Sequence, residues 1–232
     1  MLLDTIPYLR RYCDWICTWF FDSRKYASPI NPTELLTISP SSITRCPVTV
    51  PSTFLFRPSP VIGGDWDKNL RKFNKDVVYT SFRAHFKHGV DWEQTDYYQF
   101  MIDRINEHGS YKGLTQTDEI LQRCERLDQL YQRIKNNGYR SQQELTSDKV
   151  SSLDTETFLP PERKEITVHI ARDGEFLWSG GAHRLAMTKL LDIDEIPVRV
   201  NIRHKSWQDL RDHVYNGGSV DNSLADHPDL QF

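Results

Sequence analysis

The chain has 232 residues, a net charge of −3, 38% hydrophobic residues and 26% charged residues. This balance allows a buried core and excludes wholesale disorder. It also excludes a global basic field that would draw in nucleic acid, while leaving room for a local basic patch. The length suits one large domain or a core domain with an appendage, and six Trp point to extensive packing.

The opening segment, MLLDTIPYLRRYCDWICTWFF, places Leu9, Cys13, Ile16 and Phe20 on one helical face. Asp4, Arg10, Arg11 and Asp14 interrupt its apolar run, so it reads neither as a signal peptide nor as a transmembrane helix. Such a helix either docks on the protein's own core or makes an interfacial or homodimer contact. Cys13, Cys17, Cys46 and Cys124 contain no C-x-x-C pair and read as reduced, buried thiols of a cytoplasmic protein rather than a metal site.

Residues 28–60 hold seven of the twelve prolines and read as irregular, extended chain with at most short strands such as Pro51 to Phe56. VIGGDWD (61–67) follows. Its glycines and aspartates suit a surface turn capping a helix, or a carboxylate pair, Asp65 and Asp67, carried close to a ligand. The stretch YTSFRAHFKH (79–88) mixes aromatic and basic residues, and its two histidines, His85 and His88, lack an obvious third metal ligand.

Two helices are predicted next, Thr95 to His108 and Thr117 to Asn137, stopped by Gly109 and Gly138. In the second, Ile120, Cys124, Leu127, Tyr131 and Ile134 repeat at threes and fours and face inward. Residues 147–165 read as a loop. ITVHI, the turn RDG and EFLW form a hairpin. A helix from Ala182 to Leu191 follows, then a strand with Ile196, Val198, Val200 and Ile202 on one face, then the helix SWQDLRDHV and a loose polar tail from Tyr215. The implied division is residues 1–56 as a helix and arm, 57–214 as the body with a helical insertion, and 215–232 as the tail.

The hairpin exits into LWSGGAHRLAM (177–187), where two glycines precede a His-Arg pair at a helix start. A helix N-terminus carries unpaired N–H groups and partial positive charge, and glycines let an anion approach them. Arg184 offers a planar fork for phosphate oxygens and His183 a donor or a titratable group. The alternative is a glycine hairpin exit followed by an ordinary helix with an exposed arginine.

NNGYRSQ, EITVHIARDGEFLWSGGAHRLAM and the following IPV strand together resemble the ParB/sulfiredoxin superfamily over residues 130 to 204, with a weaker extension at Arg57 to Lys68. The resemblance implies an α+β fold: a ParB/sulfiredoxin-like core with added helices and an N-terminal helical arm. It implies a phosphate box of Ser179, Gly180, Gly181, Ala182, His183 and Arg184 that binds a nucleotide (ATP, ADP or CTP) with Mg²⁺. Sulfiredoxins carry a cysteine where this chain has Ala182, so sulfinic-acid reduction is not expected. Free serine kinases of this fold pair the His-Arg box with an early acidic base, a part for Asp65 or Asp67 beside His183. The expectation is phosphoryl transfer to a small-molecule or protein acceptor, or nucleotide hydrolysis. The alternative is a non-catalytic nucleotide-sensing or DNA-associated module of the ParB type, although only about thirty residues follow the last strand and do not read as a helix-turn-helix module.

Overall fold

The computed structural model describes residues 24–31, 33–49, 60–147 and 161–232. These hold seven strands, β1 (Leu35–Ile38), β2 (Arg45–Pro47), β3 (Val61–Ile62), β4 (Leu70–Lys72), β5 (Ile166–Ile170), β6 (Phe176–Gly180) and β7 (Ile196–His204). Six α-helices accompany them: α1 (Val77–His88), α2 (Asp96–His108), α3 (Thr117–Asn137), α4 (Gln142–Ser147), α5 (Ala182–Leu190) and α6 (Lys205–Tyr215). The chain therefore mixes α and β structure around one seven-stranded mixed sheet. It divides into two compact units. The first takes the chain up to Arg71, Ser141–Gly180 and Glu195–Phe232; the second takes Lys72–Arg140 and Gly181–Asp194.

In the first unit the strand order is β1-β7-β5-β6-β2-β4, with β3 also against β7. The alternating, β-branched sequence of β7 suits an interior strand of the sheet. It pairs parallel with β5 on one side; on the other, β1 runs antiparallel to residues 196–199 and β3 parallel to residues 203–204. Ile166, Val168, Ile170, Ile196 and Val198 are fully buried, each contributing about 1.5–3 kcal/mol through lost contact with water. The β5–β6 turn is closed by Ala171 N donating to Glu175 O at 3.0 Å. Gly174 in that turn sits at φ +89, and a Cβ there would lie 2.7 Å from the Trp207 ring, so glycine is required on both counts.

The short strands allowed for the proline-rich segment include Leu35–Ile38 and Arg45–Pro47, which join the sheet, with a 3₁₀ turn at Pro40–Ser42 between them. The expectation for the C-terminal tail is corrected. The polar tail is not loose, and residue 215 is not a boundary. Asp229 is 2% exposed and accepts from Arg203 Nε at 2.9 Å, Arg203 Nη2 at 2.5 Å and Trp207 Nε1 at 2.8 Å, while Arg211 Nε donates to its carbonyl at 2.8 Å. His227 packs between Phe176 and Trp207 and contacts Gly174 O at 3.0 Å. The tail thus clasps the hairpin and α6 through groups that local polarity assigns to solvent. The N-terminal stripe of Leu9, Cys13, Ile16 and Phe20, and the strand expected at Pro51 to Phe56, lie outside the described residues.

The second unit is helical. All five predicted inward residues of α3 are buried, Ile120, Cys124, Leu127, Tyr131 and Ile134. The stretch 79–88, read only as a mixture of aromatic and basic residues, lies within helix α1. Asp76 caps it by accepting from Val78 N at 3.1 Å, Gly89 ends it at φ +69, and His85, Lys87 and His88 occupy the last turn, where positive charge complements the dipole. Phe82 of α1 is fully buried, edge-on to Phe86, Trp92 and Tyr97.

Candidate functional site

Gly180 ends β6 opposite Thr167, and a Cβ at Gly180 would fall 2.5 Å from Thr167 Oγ1. The first glycine of the box is thus fixed by close packing. Its neighbour Ser179 accepts a long hydrogen bond from Asn201 Nδ2 at 3.4 Å. Gly181 has φ +79 and stands at the N-cap of α5, where no side chain caps the helix. The second glycine is thus fixed by backbone conformation, and it leaves the helix start without the serine or aspartate that usually occupies it.

Within the second unit, α5 carries His183 into the aromatic cluster. Its ring stacks on Phe82 at 5.6 Å and 12°, and its Nε2 lies 2.7 Å from Tyr97 Oη. Arg123 Nε donates to the same Tyr97 oxygen at 3.4 Å. Burial, then the charges of Arg123, Lys112 and Arg184, push the His183 pKa down to about 3. His183 is therefore a neutral imidazole at physiological pH and not a cationic phosphate ligand.

Positive charge comes from its neighbours instead. Arg184 Nη1 donates to Tyr139 Oη at 3.2 Å, in the segment just after α3, which fixes one arm of the guanidinium. Lys112 is held in a two-residue turn between Tyr111 and Leu114, whose backbones exchange two hydrogen bonds of 2.9 Å. Both turn residues, Lys112 at φ 49 and Gly113 at φ 81, are left-handed. Lysine pays a steric cost for that conformation that glycine would not. The start of α5 is thus uncapped, preceded by glycine, and set among Lys112, Arg123 and Arg184, an arrangement that attracts an anion.

The other predicted site residues, Asp65 and Asp67, belong to the first unit. Asp67 is buried beside the β5–β6 turn, accepting from Arg172 N at 2.9 Å, Nε at 2.8 Å and Nη2 at 2.6 Å. Asp65 is exposed and shared between Lys68 and Arg172, each 2.9 Å away. Gly180 lies at the opposite end of β6 from that turn; four strand steps from Phe176 to Gly180 span ~13 Å. Trp66, between the two aspartates, is buried with Ala171, Leu177 and Ile202, and His204 Nε2 donates to Gly64 O at 2.8 Å. The VIGGDWD stretch is a structural clasp on the hairpin turn. Asp65 and Asp67, expected to supply an acidic base, are both engaged by Arg172 within the first unit.

Tyr97, Lys112, Arg123 and Tyr139 were not legible as site residues. The Lys-Gly pair between Tyr111 and Leu114 is a hairpin-turn signal, but nothing local connects it to a box seventy residues later. Among the described residues no group of three or more His, Cys, Asp or Glu is placed to hold a metal ion, and His85 is engaged by Val90 O at 2.7 Å and Asp128 Oδ1 at 3.1 Å. Burial, chiefly, pushes the Cys124 thiol up to about 12, which leaves it inert. No helix among the described residues is long and apolar enough to cross a membrane. Comparison with protein-family models, curated proteins and solved structures finds no match to this chain, so the resemblance to the ParB/sulfiredoxin superfamily rests on the sequence motifs alone.

Proposed function

We propose that the protein binds a nucleotide through its phosphates at the start of α5. The observation that carries this reading is the uncapped helix start behind Gly181, with Arg184 on its first turn and Lys112 and Arg123 close enough to act electrostatically on His183. Phosphate oxygens there meet backbone donors, one planar guanidinium and added positive charge.

Of the two uses for such a seat, sensing is better supported than phosphoryl transfer. Both oxygens of Asp67 are committed to Arg172, and Asp65 is shared by Arg172 and Lys68. A carboxylate so neutralised is a weak base and a poor ligand for Mg²⁺, so these two residues do not fit the metal that a kinase would use. Phosphoryl transfer or nucleotide hydrolysis, with a small-molecule or protein acceptor, would need a base other than Asp65 or Asp67. The homodimer contact expected through the N-terminal segment falls outside the described residues.

The test is a thermal-shift panel of ATP, ADP, CTP, GTP and the corresponding nucleosides, with and without Mg²⁺. A ligand at a hundred times its Kd stabilises the native state by about 2.7 kcal/mol. A rise in Tm with nucleotides, absent with nucleosides and abolished by Arg184→Ala, supports the reading. No rise with any nucleotide overturns it.

A further inference from the structure

We propose that Tyr97 and Arg123 act as positioning residues that hold His183 as a neutral imidazole with its proton on Nδ1, so that it meets the bound phosphate as a hydrogen-bond donor and not as a cation. The inference rests on the phosphate seat proposed above and specifies how that seat works.

The argument is one of donor accounting. Arg123 has only donors, so in its contact with Tyr97 the phenolic oxygen accepts. Tyr97 is 1% exposed, and its only other hydroxyl contact among the described residues is His183 Nε2 at 2.7 Å. Were His183 to donate from Nε2, the Tyr97 hydroxyl hydrogen would be buried without an acceptor, at the full cost of desolvating it. The Tyr97 O–H therefore donates to Nε2, which must carry a lone pair, and the ring proton resides on Nδ1. His183 Nδ1 has no hydrogen-bond partner among the described residues, and it belongs to the first turn of the uncapped helix.

Among the described residues, the groups acting on His183 reinforce this state. From α1 it meets the uncharged Phe82 ring, from α2 the Tyr97 hydroxyl, from α3 Arg123, from the intervening turn Lys112 and from its own helix Arg184. A second proton would add a cation beside three others and orphan the Tyr97 hydrogen. The seat thus obtains a directional donor from histidine whose presence does not vary with pH near neutrality.

The experiment uses the full chain and two readouts. Imidazole ¹⁵N spectra, with His183 assigned by its loss in His183→Asn, report the tautomer in the absence of any ligand. Sulfate, whose charge is constant from pH 5 to 8, probes the seat across that range. The expected result is an Nδ1–H signature at His183 and a sulfate affinity flat with pH. Tyr97→Phe should then mix the tautomers and weaken sulfate by about tenfold, the scale of one hydrogen bond to a charged group. Should Tyr97→Phe fail to fold, Arg123→Gln provides the same readouts. An Nε2–H or doubly protonated His183 at pH 7 overturns the proposal, as does an affinity that falls when pH rises through about 6.5, the behaviour of a histidinium ligand. If neither sulfate nor pyrophosphate binds although the Nδ1–H signature is present, the phosphate seat is overturned and the donor role with it, while the tautomer relay stands.

Discussion

Arg172 holds Asp67 through three donors, its backbone N–H at 2.9 Å, Nε at 2.8 Å and Nη2 at 2.6 Å, so that one carboxylate on the loop after β3 locks the turn between β5 and β6. Asp67 is a structural ion, and its removal should be felt in stability. Asp67→Asn is expected to cost about 1.5–3 kcal/mol, the range for hydrogen bonds to charged groups, with the Arg172 end discounted because that side chain remains partly exposed. Burial pushes the Asp67 pKa up, but hydrogen bonds from the Arg172 side chain and backbone and the charges of His204 and Arg172 bring it down to about 2. A depressed carboxylate contributes stability that is present above its unfolded pKa of 3.8 and lost as pH falls through about 2. Urea denaturation should therefore show a shallower acid loss between pH 5 and 2 in the variant. A variant as stable as the wild type at pH 7 would return Asp67 to the list of available bases.

The Gly180–Thr167 contact gives a second prediction. Gly180→Ala sets a methyl group 2.5 Å from Thr167 Oγ1, too close to stand. The expected cost is about 1–3 kcal/mol, as for overpacking elsewhere. Thr167→Ala removes the obstructing oxygen, so the double variant should recover most of that loss. Equal destabilisation in the single and double variants, measured by urea unfolding, would mean that Gly180 is required for backbone reasons instead.

What was legible in the sequence was the local pattern. Ile120, Cys124, Leu127, Tyr131 and Ile134 follow the helical period and are all buried, and Ile196, Val198, Val200 and Ile202 alternate as expected on β7. The same strand also buries Arg199, Arg203 and His204, which alternation cannot anticipate because Arg203 depends on Asp229 and His204 on Gly64 O, far away in sequence. Helix α1 was missed because β-branched and aromatic residues lower helix propensity, although Asp76 and Gly89 marked its two ends. In the candidate site, the GGAHR box was readable from glycine and helix-start chemistry. Tyr97 and Arg123 were not, since a tyrosine and an arginine on amphipathic helices carry no local sign of a shared partner. The VIGGDWD aspartates misled for the converse reason: a carboxylate at a glycine turn looks the same in sequence whether it meets a ligand or an arginine.

The buried Asp229 gives a third prediction. Arg203 and Arg211 are both 3% exposed, and Asp229 is their shared carboxylate. Asp229→Ala leaves two buried cations without it and orphans the Trp207 N–H. The expected loss is about 3–5 kcal/mol, the range for breaking a buried pair from one side. Deleting residues 227–232 should be at least as damaging, since His227 and Leu230 leave as well. Differential scanning calorimetry decides the point; a tail deletion with unchanged Tm would restore the reading of residues 215–232 as a loose appendage.

The last prediction concerns Arg184. Its Nη1 is oriented by Tyr139 Oη at 3.2 Å, and its position on the first turn of α5 keeps the guanidinium beside the helix start. Arg184→Ala should weaken nucleotide binding by about 1.5–3 kcal/mol, read as Kd by calorimetry. Arg184→Lys keeps the charge but loses the planar two-pronged donor set, so it should recover only part of the loss. Tyr139→Phe keeps both charge and fork and removes the orienting hydroxyl; its effect should be the smallest of the three. This ordering separates a shaped phosphate ligand from a diffuse positive charge, for which Lys would equal Arg and Tyr139→Phe would be silent. Salt sharpens the distinction, because exposed charge–charge attraction is screened within about 8–10 Å at physiological ionic strength while oriented hydrogen bonds at a helix start are screened less. If all three variants match the wild type at low and high salt, Arg184 does not touch the nucleotide, and the box is a glycine hairpin exit followed by an ordinary helix.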